Sequence, residues 1–220
     1  MIRVFLGYDP RESIAFHVCT NSIIRHASEP VQIIPLAQNL LNGFDGQRDG
    51  SNSFIYSRFL VPSLCDFQGH AIFIDGDMVV TADIAELWDL RSHHVDAQVV
   101  HQPDYQTKAP VKYLGNQNQN YPRKNWSSVI VWNCGSFPNR ILSPDFVSQA
   151  EGSYLHRFEW CRPERLGELP RDWNWIPDEF GPNESAKLLH WTLGTPCFDE
   201  YANTEMAEHW HNERRLTTNP

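Results

Sequence analysis

The apolar run Ala71-Ile72-Phe73-Ile74 ends abruptly on Asp75-Gly76-Asp77 and resumes as Met78-Val79-Val80. Apolar residues without alternation, three of them β-branched or aromatic, describe a strand buried on both faces and therefore set inside an α/β sheet. Asp75 and Asp77 then stand where the strand leaves the sheet, the usual place for a ligand in an open α/β fold. Side chains two apart on extended backbone point the same way, and Gly76 puts no Cβ in the path of the turn. Two carboxylates held this close repel unless a cation neutralises both. Oxygen ligands suit Mg²⁺ or Mn²⁺, ions that commonly hold the phosphates of a substrate. The triplet by itself reads equally well as a solvated turn, since Asp and Gly dominate turns. Phosphatases with an aspartyl nucleophile carry such a pair near the chain start with Thr soon after, whereas here Met78-Val79 follows. A calcium loop needs a closing Glu in register, which this stretch lacks.

A formal net charge of −9 over 220 residues argues against a nucleic-acid partner, which requires a basic face. No stretch approaches the ~18 apolar residues of a membrane span, and Ile2–Leu6 is too short for a secretion signal. A cytoplasmic protein is expected. The five cysteines are odd in number and widely spaced, which fits reduced, mostly buried thiols rather than a zinc site. Eight tryptophans serve either core packing or stacking on sugar rings or a base. With no repeat and no linker, residues 1–220 read as one domain.

In chain order, Ile2–Leu6 reads as a strand, and Asp9 caps a helix reaching Ala27, with Pro10 in its first turn and Glu12 closing a capping box. Val31–Leu36 is the next strand, so the opening is the start of a nucleotide-binding βαβ unit. Neither the glycine-rich dinucleotide loop nor the NTPase loop is present. Tyr8 suits either base stacking or a half-buried turn. Residues 37–52 form a loop punctuated by Asn42-Gly43, Asp45-Gly46 and Asp49-Gly50. Ser53 caps a short helix over 54–61, which Pro62 bends or ends. Arg58, alone among apolar neighbours, either snorkels to water or reaches a phosphate. Asp83 caps a helix, with Glu86 at capping-box spacing. Ala97–His101 and Ser127–Asn133 are strands around a polar substrate loop at 102–124. Ser143-Pro144 starts a helix, Trp173–Ile176 and Lys187–Trp191 are short strands, and the tail from Asp199 is a surface helix.

The order strand-turn-helix, Tyr56-Ser57-Arg58, Phe73-Ile74-Asp75-Gly76-Asp77-Met78-Val79-Val80 and Asp83-Ile84-Ala85-Glu86-Leu87 resembles glycosyltransferases of the GT-A fold. It is most similar to family 8, the glycogenin-like and lipopolysaccharide galactosyltransferase-like enzymes and their small bacterial and viral relatives. The likeness continues through Tyr121–Ser128, Leu169–Trp175 and Leu189-His190-Trp191-Thr192-Leu193-Gly194-Thr195-Pro196. It implies a Rossmann-like, mixed but mostly parallel sheet flanked by helices. Residues 1–101 would be the nucleotide-binding half, and 102–220 the acceptor half with a metal-binding C-terminal strand. It implies a nucleotide sugar, most often UDP-linked, and Mn²⁺ (or Mg²⁺) held by Asp75, Asp77 and His190. An imidazole beside two carboxylates favours Mn²⁺. Gly7, Tyr8 and Asp9 match the turn for base and ribose, Arg58 the arginine near the donor phosphates, Gly76 the centre of the acidic motif, and Gly194 the glycine of the closing motif. Asp77 and Glu159 match catalytic positions, Glu159 only by rough location. Cys197-Phe198 stands where the family has a lysine touching the diphosphate.

These features imply a hexosyltransferase acting on a glycan, lipid-linked or protein hydroxyl, with retention. The rivals are a sugar-nucleotide nucleotidyltransferase, which should show a glycine-rich N-terminal phosphate loop, and a carbohydrate-binding module, favoured by tryptophan content alone.

Overall fold

Alternate residues of the central strands fall on opposite faces of one sheet, and both faces are apolar. Phe5, Ala71, Phe73, Val99, Ile130 and Trp132 belong to one core, while Val4, Leu6, Ile72, Ile74, Val129 and Val131 belong to another. This double burial is what the unbroken apolar run encodes. The computed structural model describes residues 1–44, 52–103 and 105–218. The turns expected at Asp45-Gly46 and Asp49-Gly50 lie outside the described residues, whereas Asn42-Gly43 forms a turn with Gly43 at φ 76°.

The strands are β1 (Ile2–Gly7), β2 (Val31–Leu36), β3 (His70–Ile74), β4 (Met78–Val80), β5 (Ala97–Val100), β6 (Val111–Lys112), β7 (Asn116–Gln117), β8 (Val129–Asn133), β9 (Leu166–Leu169) and β10 (Leu188–His190). The main sheet has the order β2-β1-β3-β8-β5-β9. Only β8 runs against its neighbours, pairing antiparallel with both β3 and β5, so the sheet is mixed and mostly parallel. Helix Ser13–His26 connects β1 to β2 and buries Ala15, Val18, Cys19 and Ile23. β10 pairs antiparallel with β4, and β6 with β7 as a small hairpin.

The expected caps are present at Asp9 and Asp83, whose side chains accept from Arg11 N and Ala85 N, and Ser143 at the start of its helix accepts from Phe146 N; the cap expected at Ser53 is absent, because the turn begins only at Ser57, after Tyr56. Glu12 closes no capping box: its carboxyl is buried, and Ser13 begins the α-helix after a single 3-10 turn. Glu86 instead pairs with Lys187. The helix expected over 54–61 starts at Ser57 as a 3-10 turn and passes into Val61–Leu64, with Pro62 inside its first turn rather than at its end. Ser127 and Ser128 belong to a 3-10 turn before β8. Trp173–Ile176 is not a strand, since Arg171–Asn174 is a 3-10 turn and only Trp175 bridges to Leu189. The tail helix Ala207–Thr218 is not wholly a surface element, because Trp210 is fully buried and Glu213 pairs with Arg25 of the first helix.

Trp132, Trp173, Trp191 and Trp210 are fully buried in the core, and none of the eight tryptophans lines the cavity beside Asp75 and Asp77. All five cysteines are free, four of them buried.

Candidate active site

Gly7 and Gly76 let two strand ends meet. A Cβ on Gly76 would lie 1.9 Å from the Gly7 carbonyl oxygen, and one on Gly7 would lie 2.5 Å from the Phe54 ring. Only glycine fits such approaches, so the ends of β1 and β3 sit side by side; Asp75 and Asp77 of the β3 turn line the cavity beside them, and Gly7, Tyr8 and Asp9 do not. Asp75 and Asp77 leave β3 there. β10 returns alongside β4 with His190 opposite Met78, which brings the imidazole to the same place. Ligand atoms of Asp75, Asp77 and His190 all lie within 4.8 Å of one another, and all three residues are buried.

Burial dominates the electrostatics. It raises the Asp75 carboxyl, an effect opposed by the Arg58 guanidinium, whose Nη1 lies 2.8 Å from Asp75 Oδ1. Burial and the charge of Asp75 push Asp77 up to about 7. His190 is pushed down to about 3 by burial and then by Arg58 and Lys112, so its ring is neutral. His190 Nδ1 lies 2.9 Å from Asn174 Oδ1; a proton donated there leaves the Nε2 lone pair, 3.9 Å from Asp77 Oδ1, for a ligand. Asp77 Oδ1 is buried without a hydrogen-bond partner among the described residues. An orphaned carboxylate oxygen and an oriented neutral imidazole fit a divalent cation.

The cluster opens on a cavity of about 590 Å³, lined also by Arg58, Lys112, Tyr121, Lys124, Asn125 and His156. Ser127 Oγ lies 2.8 Å from His156 Nδ1, and burial holds that imidazole neutral, at about 3. Asp75 and Asp77 are the only carboxylates lining the cavity among the described residues.

The other expected site residues divide. Asp9 is buried and accepts from Arg11 and from Ser53 N at 2.9 Å, fixing the β1 turn. Tyr8 packs edge-on against Phe16, at 5.3 Å. Gly194 lies against Tyr201, whose ring a Cβ would meet at 2.3 Å. Glu159 is exposed, 3.8 Å from Arg157, and does not line the cavity. Arg58 is held by Asp75 and by the carbonyls of Ile55 and Ser127, at 3.1 and 2.8 Å. Sequence reading assigned no role to Asn174, Lys112 or His156. Asn174 had a signal, a polar residue between two tryptophans.

Glu12 is buried beside the site, and desolvation followed by the charges of Asp77 and Asp9 raises it to about 9. Between the ordinary carboxyl range and pH 9 the folded chain therefore holds a proton that the unfolded chain has released. Stability of the metal-free protein should fall as pH rises through this window, by at most about 1.4 kcal/mol per pH unit for this group. Glu12→Gln is expected to flatten the decline in melting temperature between pH 5 and 8. An unchanged slope in the variant would show that Glu12 is not the group responsible.

Fold and site together are those of a GT-A glycosyltransferase. Residues 11–135 match the family described as glycosyl transferase family 8. The chain is 42% identical over 221 aligned positions to Protein CDI of Arabidopsis thaliana, covering 96% of this chain and 85% of that protein. It is similar in fold to the galactosyltransferase LgtC solved with donor and acceptor sugar analogues, with a TM-score of 0.63 at 12% identity over 100% of this chain and 97% of that one. It is also similar to the apo bifunctional glycosyltransferase WbbM, with a TM-score of 0.68 at 17% identity, covering 97% of this chain but 49% of WbbM. The chain belongs to glycosyl transferase family 8.

Proposed function

We propose that the protein transfers a hexose from a nucleoside-diphosphate sugar, UDP-linked, to a hydroxyl of a glycan, lipid-linked or protein acceptor, with retention. The observation that carries this reading is the buried Asp75, Asp77 and His190 cluster at the floor of a cavity large enough for a sugar diphosphate. Residues 1–101 would hold the nucleotide, at the Gly7-Tyr8-Asp9 turn, and residues 102–220 would supply His190 and the acceptor side, with Gly194 near the diphosphate. A divalent ion, when bound, would stabilise the charge that develops on the leaving diphosphate. Asp77 is the proposed catalytic carboxylate through that ion. Arg58 holds Asp75 in place, and Asn174 orients His190. Amides of Gln117, Asn118, Gln119 and Asn125 line the cavity where the sugar hydroxyls would sit. Because the cavity offers no further carboxylate among the described residues, front-side attack, with the acceptor proton passing to the departing phosphate, is the favoured course. Five free thiols support a reducing compartment such as the cytoplasm.

The test is a thermal-shift and calorimetric panel of nucleotide sugars with and without Mn²⁺. UDP and the metal should strengthen each other by the same factor, about 5- to 150-fold for an ordinary coupling. His190→Ala should reduce both arms of that coupling alike. Wild-type protein in which Mn²⁺ and UDP bind independently would overturn the metal-linked reading.

A further inference from the structure

We propose that Cys65 and Cys134 form a reversible oxidation site, a buried thiol pair that a peroxide converts into a disulfide. The two residues are far apart in the chain, and no spacing motif marks them. The fold brings them together. Cys65 follows helix Val61–Leu64, Cys134 follows β8, and their thiols hydrogen-bond to each other inside one apolar core. The other three cysteines have different company. Cys19 meets the Met78 backbone, Cys161 donates to Asp96 Oδ2 at 3.4 Å, and Cys197 Sγ lies 2.7 Å from Thr195 Oγ1.

Both backbones are fixed where the sulfurs meet. Cys65 N donates to Val61 O at 3.1 Å, and the turn after it passes through Asp66 at φ 51° and Phe67 at φ 53°. Non-glycine residues keep such left-handed conformations only where their surroundings impose them. Here Phe67 N donates to Pro62 O at 2.8 Å and Gln68 N to Cys65 O at 3.0 Å, while Arg3 Nη2 donates to the carbonyls of Gln68 and His70 at 2.9 and 2.8 Å. Next to Cys134, Asn133 opposes His70 in the sheet, and Gly135 N donates to Gly69 O at 3.4 Å. The turn is thus stitched to the end of β8 on both sides of Cys134. Sulfurs already in hydrogen-bond contact need to close by only about 2 Å to reach the bonded distance of about 2.05 Å, a movement that side-chain torsions can supply.

The two thiols differ in the way the chemistry needs. The hydrogen bond from Cys134 holds Cys65 below the ordinary thiol value, against burial and with help from the Arg3 charge, whereas the contact with Cys65 and then burial push Cys134 up. Cys65 is the nucleophile and Cys134 the resolving thiol. The Cys65 thiolate attacks one oxygen of hydrogen peroxide, the O–O bond breaks, and the departing hydroxide takes up the proton that Cys65 gave up. Cys134 sulfur then attacks the sulfenic sulfur of Cys65, the S–O bond breaks, and hydroxide leaves with the Cys134 proton. Two thiols and one peroxide give one disulfide and two waters. In a reducing compartment the pair stands reduced and responds only to oxidant.

The bond closes a ring over residues 65–134, which holds β3 to β8 with Asp75 and Asp77. The same two segments are already joined at the cavity end, where Arg58 Nη1 donates to Ser127 O at 2.8 Å, so oxidation staples their far ends. The test treats the full chain with hydrogen peroxide and follows thiol count, intact mass, peptide map and thermal melt. Two of the five thiols should disappear, the mass should fall by two hydrogens, one Cys65–Cys134 peptide should appear, and dithiothreitol should reverse all three. The melting temperature of the oxidised protein should rise on the order of 10 °C, because a ring of about 70 residues restricts the unfolded chain. Cys134→Ala should leave Cys65 as a sulfenic acid that dimedone traps, without a disulfide or a rise in melting temperature, and Cys65→Ala should leave Cys134 inert. Wild-type protein that keeps all five thiols, is modified at Cys197 alone, or yields the Cys65–Cys134 peptide only in urea would overturn the assignment. So would a disulfide that lowers the melting temperature, since the sulfurs would then have been forced together.

Discussion

Asp77→Asn is expected to reduce transfer by at least about 10²–10³-fold, the scale of one lost transition-state contact, and to leave the protein folded. The substitution conserves volume and removes a charge that the fold itself disfavours. Burial and the neighbouring Asp75 carboxylate hold Asp77 near 7 instead of in the ordinary carboxyl range. At neutral pH the amide therefore relieves repulsion, and the melting temperature of the metal-free variant should equal or exceed that of wild type. The same amide cannot supply the negative charge that a divalent ion needs, so Mn²⁺ affinity should fall with activity. Turnover and calorimetric Mn²⁺ binding, measured with the thermal melt on one preparation, check all three statements. Turnover near wild type at saturating Mn²⁺ would remove Asp77 from the metal site.

Arg58→Ala should have the largest effect on stability, about 3–5 kcal/mol, because it abandons a buried carboxylate. The guanidinium and Asp75 are almost wholly shielded from water, with side-chain exposures of 4% and 7%. The planar cation also lies over the rings of Phe54 and Phe73, at 5.4 and 4.9 Å, so its removal also leaves space in the core. For a chain of this length, such a loss corresponds to a drop in melting temperature on the order of 10 °C. Asp75→Asn combined with Arg58→Met should recover part of it, since the double variant buries no unpaired charge. Chemical denaturation of Arg58→Met, Asp75→Asn and the double variant gives the coupling directly. Additive losses would mean that Arg58 matters for packing and not for Asp75.

Much of this was legible in the sequence wherever a local rule governed it. The unbroken run Ala71–Ile74 specified a doubly buried strand, and Asp9, Asp83 and Ser143 took the capping positions their side chains favour. Asp75, Asp77 and His190, the last through family resemblance, do converge in space. What stayed hidden depends on contacts between segments far apart in the chain. Asn174 is useful only because Trp175 bridges to Leu189 and brings it under the imidazole. Lys112 sits on a hairpin with two residues per strand, too short for any periodicity to mark. Sequence reasoning offered Arg58 either water or a phosphate; the fold pairs it with Asp75 at the wall of the cavity. Glu12 had the spacing of a cap, but the 3-10 turn before Ser13 directs it inward. Trp173–Ile176 has the aromatic and β-branched composition of a strand without a partner along its length.

The single reversed strand in the sheet has a consequence for synthesis. β3 finds β1 within the first 74 residues, but its other edge waits for β8, which is complete only at Asn133. As the chain emerges, a strand with four apolar residues in a row therefore spends the interval as an unpaired edge, the state in which strands recruit the wrong neighbour. The acidic turn after Ile74 and the Arg58 segment that meets it are made early, whereas His190 arrives last, on a strand that pairs with β4 across more than a hundred residues. Such long-range pairing is slow to close. The site is thus assembled in two acts, with its acidic residues set down first and its neutral ligand added more than a hundred residues later.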